Sequence, residues 1–137
     1  MRGGNTAHTL PEEVVEAESS RPIDLDFLGR QTLGDPGLEQ EVLRLFDEIS
    51  HTYFERVETS TTVPDLVRNL HTLRGAAAGV GAFGLAELAR VAETELREGV
   101  PVNPERIDDL NIAVQEVSEF IGRRLKDVEA ELDADAA

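Results

Sequence analysis

The chain has 137 residues, 28 Asp and Glu against 13 Lys and Arg, and a formal charge of −15. That length suits one domain with a modest core, and the absence of Cys excludes disulfides, thiolate metal sites and cysteine nucleophiles. The acidic balance argues against nucleic acid and anionic membrane surfaces, both of which recruit Lys and Arg.

Residues 1–22 mix Gly, Ser, Thr, Pro and acids without a sustained apolar period, and are expected to be disordered. They contain no apolar stretch of the kind a secretory signal needs. The longest uncharged run, Gly75 to Ala86, falls far short of the ~20 apolar residues of a membrane span. The expected location is therefore the cytoplasm. Asp24 or Asp26 can cap a short first helix ending near Gly34. Asp35-Pro36 then reads as the cap and first turn of a longer helix, with Leu38, Val42, Leu45, Phe46, Ile49 and Tyr53 as its apolar set.

The Ser60-Thr61-Thr62 cluster before Pro64 ends that helix and opens another. Leu66, Leu70, Leu73, Ala77 and Val80 recur along it at helical spacing, and Gly79 and Gly81 permit a tight turn after it. A further helix carries Leu85, Leu88, Ala89, Ala92 and Leu96 and stops at Gly99. Asn103-Pro104 repeats the cap-plus-proline signature before Ile107, Leu110, Val114, Val117 and Ile121. No alternating strand pattern competes. The expected fold for residues 23–129 is all-α: an antiparallel up-and-down four-helix bundle with a short extra N-terminal helix. The acidic residues 130–137 are expected to fray.

One helix face stands out. The stripe from Leu66 to Val80 centres roughly 140° from His71, so the imidazole points to solvent. Arg74 and Gly75 lie one turn on, Ala78 a further turn, and Val67 one turn before. An exposed imidazole beside a cation, ringed by small or apolar groups, suits a nucleophile on a flat docking surface. A mid-helix Gly75 costs about 1 kcal/mol against Ala and so calls for a reason. His8 and His51 are assigned no role, and no two histidines stand at a metal-ligand spacing.

His71-Thr72-Leu73-Arg74-Gly75, with Gly81 and Leu85 following at their offsets, resembles the histidine-containing phosphotransfer (HPt) domain. That family's pattern has His, any residue, Leu or Ile, Lys, Gly, five residues, Gly, three residues and Leu. Leu33-Gly34-Asp35-Pro36 leading into an acidic helix with Phe46 resembles its common opening, so the likeness runs from about Ile23 to Leu125. Arg74 replaces the commoner Lys, which keeps the charge and changes its geometry.

The resemblance implies a phosphocarrier, not an enzyme, which relays a phosphoryl group between His71 and receiver-domain aspartates in a two-component phosphorelay. It implies Nε2 as the phosphorylated nitrogen, Arg74 as a stabiliser of the phosphate, and Val67, Gly75 and Ala78 as the partner-binding surface. Implied partners are response-regulator receiver domains, a hybrid histidine kinase, or both. A monomer is expected, without cofactor or metal of its own, since Mg²⁺ would come with the receiver. Glu93 falls where the family often places a polar group near the histidine, although its plain reading is a solvated acid. A carboxylate such as Glu93 could also occupy Arg74 and keep it from the phosphate. The competing function is a phosphate-independent helical adaptor that binds and modulates a receiver or histidine kinase; it would have no need of His71.

Overall fold

The computed structural model describes residues 21–136, which form five helices and no strand. Helix α1, Leu25–Gln31, starts where Asp24 accepts a hydrogen bond from the Phe27 N–H at 3.0 Å. Asp35 caps α2, Pro36–Thr59, accepting from Gly37 and Leu38, with Pro36 in the first turn as the sequence predicts. Thr62 caps α3, Val63–Val80, through its hydroxyl, which accepts from the Asp65 N–H at 3.2 Å. Helix α4 spans Phe83–Arg97. Helix α5, Pro104–Ala136, begins beside Asn103, whose side chain accepts from the Glu105 N–H. The idle reading of His8 and, apart from Arg21 and Pro22, the expected disorder of 1–22 lie outside the described residues.

The four long helices run up and down. Asn69 of α3 reaches back to Ser60 at the end of α2, His71 of α3 meets Glu93 of α4, and Arg106 of α5 meets Glu95 of α4. Helix α5 closes the bundle against α2, where Arg124 forks onto Glu39 at 2.6 and 3.2 Å and His51 contacts Ser118. Between the helices lies a core of Leu43, Phe46, Leu70, Leu73, Ala77, Ala89, Leu110, Val114 and Ile121. This is the predicted all-α bundle with its short extra helix.

The short helix has a defined seat. The Asp24 N–H donates to the Gly81 carbonyl at 2.9 Å, and Phe27 meets Phe83 edge to face, their ring centres 5.1 Å apart. Gly81 ends α3 with φ +88°, and a Cβ there would stand 3.0 Å from the Asp24 carbonyl oxygen. Glycine is required twice over, for the left-handed turn and for the approach of α1.

Two sequence expectations are corrected. On α2 the buried stripe is Leu43, Phe46, Ser50, Phe54 and Val57; Leu38 and Leu45 face solvent. The buried row also includes Glu39, a charged residue that hides the pattern, yet its carboxylate is satisfied by Arg124. At the other end, α5 does not fray from residue 130 but continues through Ala136. Its apolar row extends past Ile121 through Leu125, a fully buried Val128 and a half-buried Leu132. That row covers the opening turns of α2, where Arg44 pairs with Glu129 at 3.8 Å.

Candidate functional site

The site lies on the α3–α4 hairpin. Burial of Leu66, Leu70, Leu73, Ala77 and Val80 fixes the rotation of α3, leaving the His71 side chain 60% exposed. Around it the structure places the predicted neighbours on one face: Val67 and Ala78 half-buried, Gly75 open. A Cβ on Gly75 would meet nothing within 4 Å, so internal packing gives no reason for the glycine.

Glu93 departs from its plain reading. Its side chain is 3% exposed, held under α3 by the apolar face of α4. Its Oε2 accepts from His71 Nδ1 at 3.1 Å and from Arg97 Nε at 2.9 Å, with Arg97 Nη2 in ion-pair contact at 2.8 Å. Its Oε1 accepts from Arg74 Nη1 at 3.1 Å. Burial works to raise the Glu93 carboxyl, but the hydrogen bonds from Arg97 and His71, with the charges of His71 and Arg74, outweigh it and hold its pKa below the usual carboxylate range. An ionised carboxylate only accepts, so the bond requires a proton on Nδ1. In the neutral ring Nε2 then carries the lone pair, facing away from Glu93 toward solvent.

Arg97 is the residue the sequence reading passes over. It stands four positions after Glu93, the spacing at which Glu and Arg meet on a helix, and that spacing is the signal that could have found it. Together with Pro64, Val67, Arg68, His71 and Thr72 it lines an open groove beside the imidazole. Arg74 is in part occupied as the sequence reading warned, giving one N–H to Glu93 while 40% of its side chain stays exposed. Arg68 pairs with Asp65 and Arg90 with Glu87. The Arg90 hydrogen bonds lower the Glu87 pKa. His51 lies on α2, far along the bundle surface, between Asp47 and Ser118. Among the described residues no cluster of His, Asp or Glu is arranged to hold a metal ion.

A family model described as the Hpt domain matches residues 38–120, most of the bundle and the whole α3–α4 hairpin. The chain belongs to the Hpt domain family. Comparison with curated proteins and with solved structures gave no match. Membership brings a phosphotransfer role in two-component signalling, as a phosphocarrier that engages receiver domains or kinases. No helix of this Hpt domain, among the described residues, is long and apolar enough to cross a membrane.

Proposed function

We propose that His71 is the phosphorylated residue and that this Hpt domain relays its phosphoryl group to and from receiver-domain aspartates as a cytoplasmic monomer. The carrying observation is the buried Glu93 carboxylate, which accepts the Nδ1–H hydrogen bond, so that the neutral ring bears its lone pair on Nε2, away from Glu93. In the forward step the Nε2 lone pair attacks phosphorus of an aspartyl phosphate. The bond from phosphorus to the carboxylate oxygen breaks, and the aspartate leaves with that electron pair. The ring becomes cationic as the N–P bond forms, and Glu93 stabilises that charge through Nδ1. Arg74 adds positive charge one turn away. Val67, Gly75 and Ala78 form the surface on which the receiver, or a hybrid histidine kinase, seats itself; Gly75 keeps that approach low.

The experiment is incubation with phosphorylated receivers, following acid-labile label onto this chain. His71→Gln abolishes labelling and costs no more than about 1 kcal/mol of stability, because Arg97 and Arg74 still satisfy the buried Glu93 carboxylate. Label that persists in the His71→Gln protein, or that maps to His8 or His51, overturns the assignment. Receiver binding that is modulatory but independent of His71 would establish the adaptor instead.

A further inference from the structure

We infer that Arg97, rather than the motif cation Arg74, is the principal phosphoryl-binding side chain of this site, and that Arg74 serves chiefly as the counter-ion of Glu93. The inference rests on His71 as the phosphorylated residue and deepens that reading. Three observations carry it, all on the α3–α4 hairpin.

The first is direction. Side chains on a helix lean toward its N-terminus, so the His71 ring overlies the turn before it and not the turn of Arg74. The groove it enters is lined by Val67 and Arg68 from that earlier turn and by Arg97 from across the hairpin; Arg74 does not line it. The second is hydrogen-bond capacity. Glu93 Oε2 accepts from His71 Nδ1 and from Arg97 Nε, with Arg97 Nη2 2.8 Å away, while Oε1 receives Arg74 alone. A carboxylate oxygen offers about two lone-pair sites, so Oε2 keeps His71 Nδ1 when Arg97 turns away, whereas Oε1 has no other donor if Arg74 leaves. The third is exposure. The Arg97 side chain is 58% exposed against 40% for Arg74, and Arg97 lines the groove.

Charge points the same way. Two guanidinium groups face one buried carboxylate, which leaves one positive charge in excess before any phosphoryl group arrives. A phosphohistidine dianion on Nε2 competes with Oε2 for Arg97 and gains a planar two-pronged donor. Glu93 keeps His71 Nδ1 and Arg74, so the ring stays oriented while Arg97 turns outward. Arg68 lies on the same groove but is engaged by Asp65 at 2.8 Å.

The test phosphorylates the full chain without a partner, using phosphoramidate. His71 Nε2 attacks phosphorus, the P–N bond of the reagent breaks, and ammonia leaves. Titration of the phosphohistidine ³¹P signal then reads the charge around the phosphoryl group. Arg97→Ala raises the titration midpoint by about 0.5 pH unit, the size expected of a partly exposed ion pair, and Arg74→Ala raises it by less. Arg97→Lys restores part of the shift, because the charge returns without the fork. If Arg97 acted only by holding Glu93, it would lose its effect once Glu93 is neutralised. The expected result is that Arg97→Ala still raises the midpoint in a Glu93→Gln background. A midpoint unmoved by Arg97→Ala, a larger shift from Arg74→Ala, or loss of the Arg97 effect in the Glu93→Gln background overturns the inference while leaving His71 as the carrier. A parent His71 that takes no label, with His51 labelled in its place, overturns the carrier assignment itself.

Discussion

At the scale of single residues, Glu93 decides what His71 can do. Glu93→Gln removes the negative charge that stabilises the cationic ring, and phosphotransfer from a receiver to His71 should slow about 10- to 100-fold. The same substitution reports on pH. The Glu93 pKa is depressed in the folded chain, so its contribution to stability is present in full above the ordinary carboxylate value of 4.5 and is lost as pH falls through the lower folded value. The melting difference between parent and Glu93→Gln should therefore be constant near neutrality and shrink below about pH 4.5. Equal differences at pH 7 and pH 3 would mean that the ionised carboxylate adds nothing. Gly75 offers the complementary test. A side chain there meets open space, so Gly75→Leu should gain about 0.5–1 kcal/mol of helix stability while blocking receiver approach. Transfer rate and melting temperature then move in opposite directions, and a joint fall would assign the glycine to internal packing.

At the scale of elements, caps and turns were legible because each depends on a few adjacent residues. Asp35-Pro36 and Asn103 cap where the sequence places them, Thr62 caps from within the expected Ser60-Thr61-Thr62 cluster, and the α3 stripe is buried residue for residue. The α2 stripe was misread because two apolar rows interleave along it and a buried Glu39 interrupts the true one. The end of α5 was misread because acidic composition outweighed the spacing of Leu125, Val128 and Leu132, which continues the row from Leu110 without a break. Gly81 was legible as a turn; its contact with α1 was not, since nothing local says that a helix over 50 residues earlier lies against it. Gly81→Ala should destabilise the bundle by about 1–3 kcal/mol, combining left-handed strain with the 3.0 Å approach to Asp24. Denaturant titration checks this, and a change under about 0.5 kcal/mol would show that α1 simply shifts away.

At the scale of the whole molecule, the acidic chain concentrates its exceptions. With 13 basic residues against 28 acidic, the hairpin still sets Arg68, Arg74 and Arg97 around one histidine. The sequence showed His71, Arg74 and Gly75 because they share one helix face. It concealed the grip of Glu93 and Arg97 because that depends on how two helices dock. Burial of a carboxylate is unfavourable until its partners are known, and composition alone favours the solvated reading. The seam between α2 and α5 was equally hidden: Glu39 and Arg124 stand 85 positions apart.

That separation has a kinetic consequence. His71 and Glu93 are only 22 positions apart, so the hairpin that holds the site closes a far shorter loop than the clasp of Glu39 on Arg124. The entropy lost on closure grows with loop length, and short-range contacts form early in folding. The hairpin should be organised in the folding transition state and the clasp should close after it. Arg124→Gln should then speed unfolding with little effect on folding, whereas Leu73→Ala should slow folding, a contrast that stopped-flow chevrons resolve. Folding slowed equally by both would place the clasp in the nucleus. With the clasp late to close, it is also the first to open, and a molecule breached there keeps its histidine housed. A stored phosphoryl group can thus outlast the breathing of the bundle that carries it.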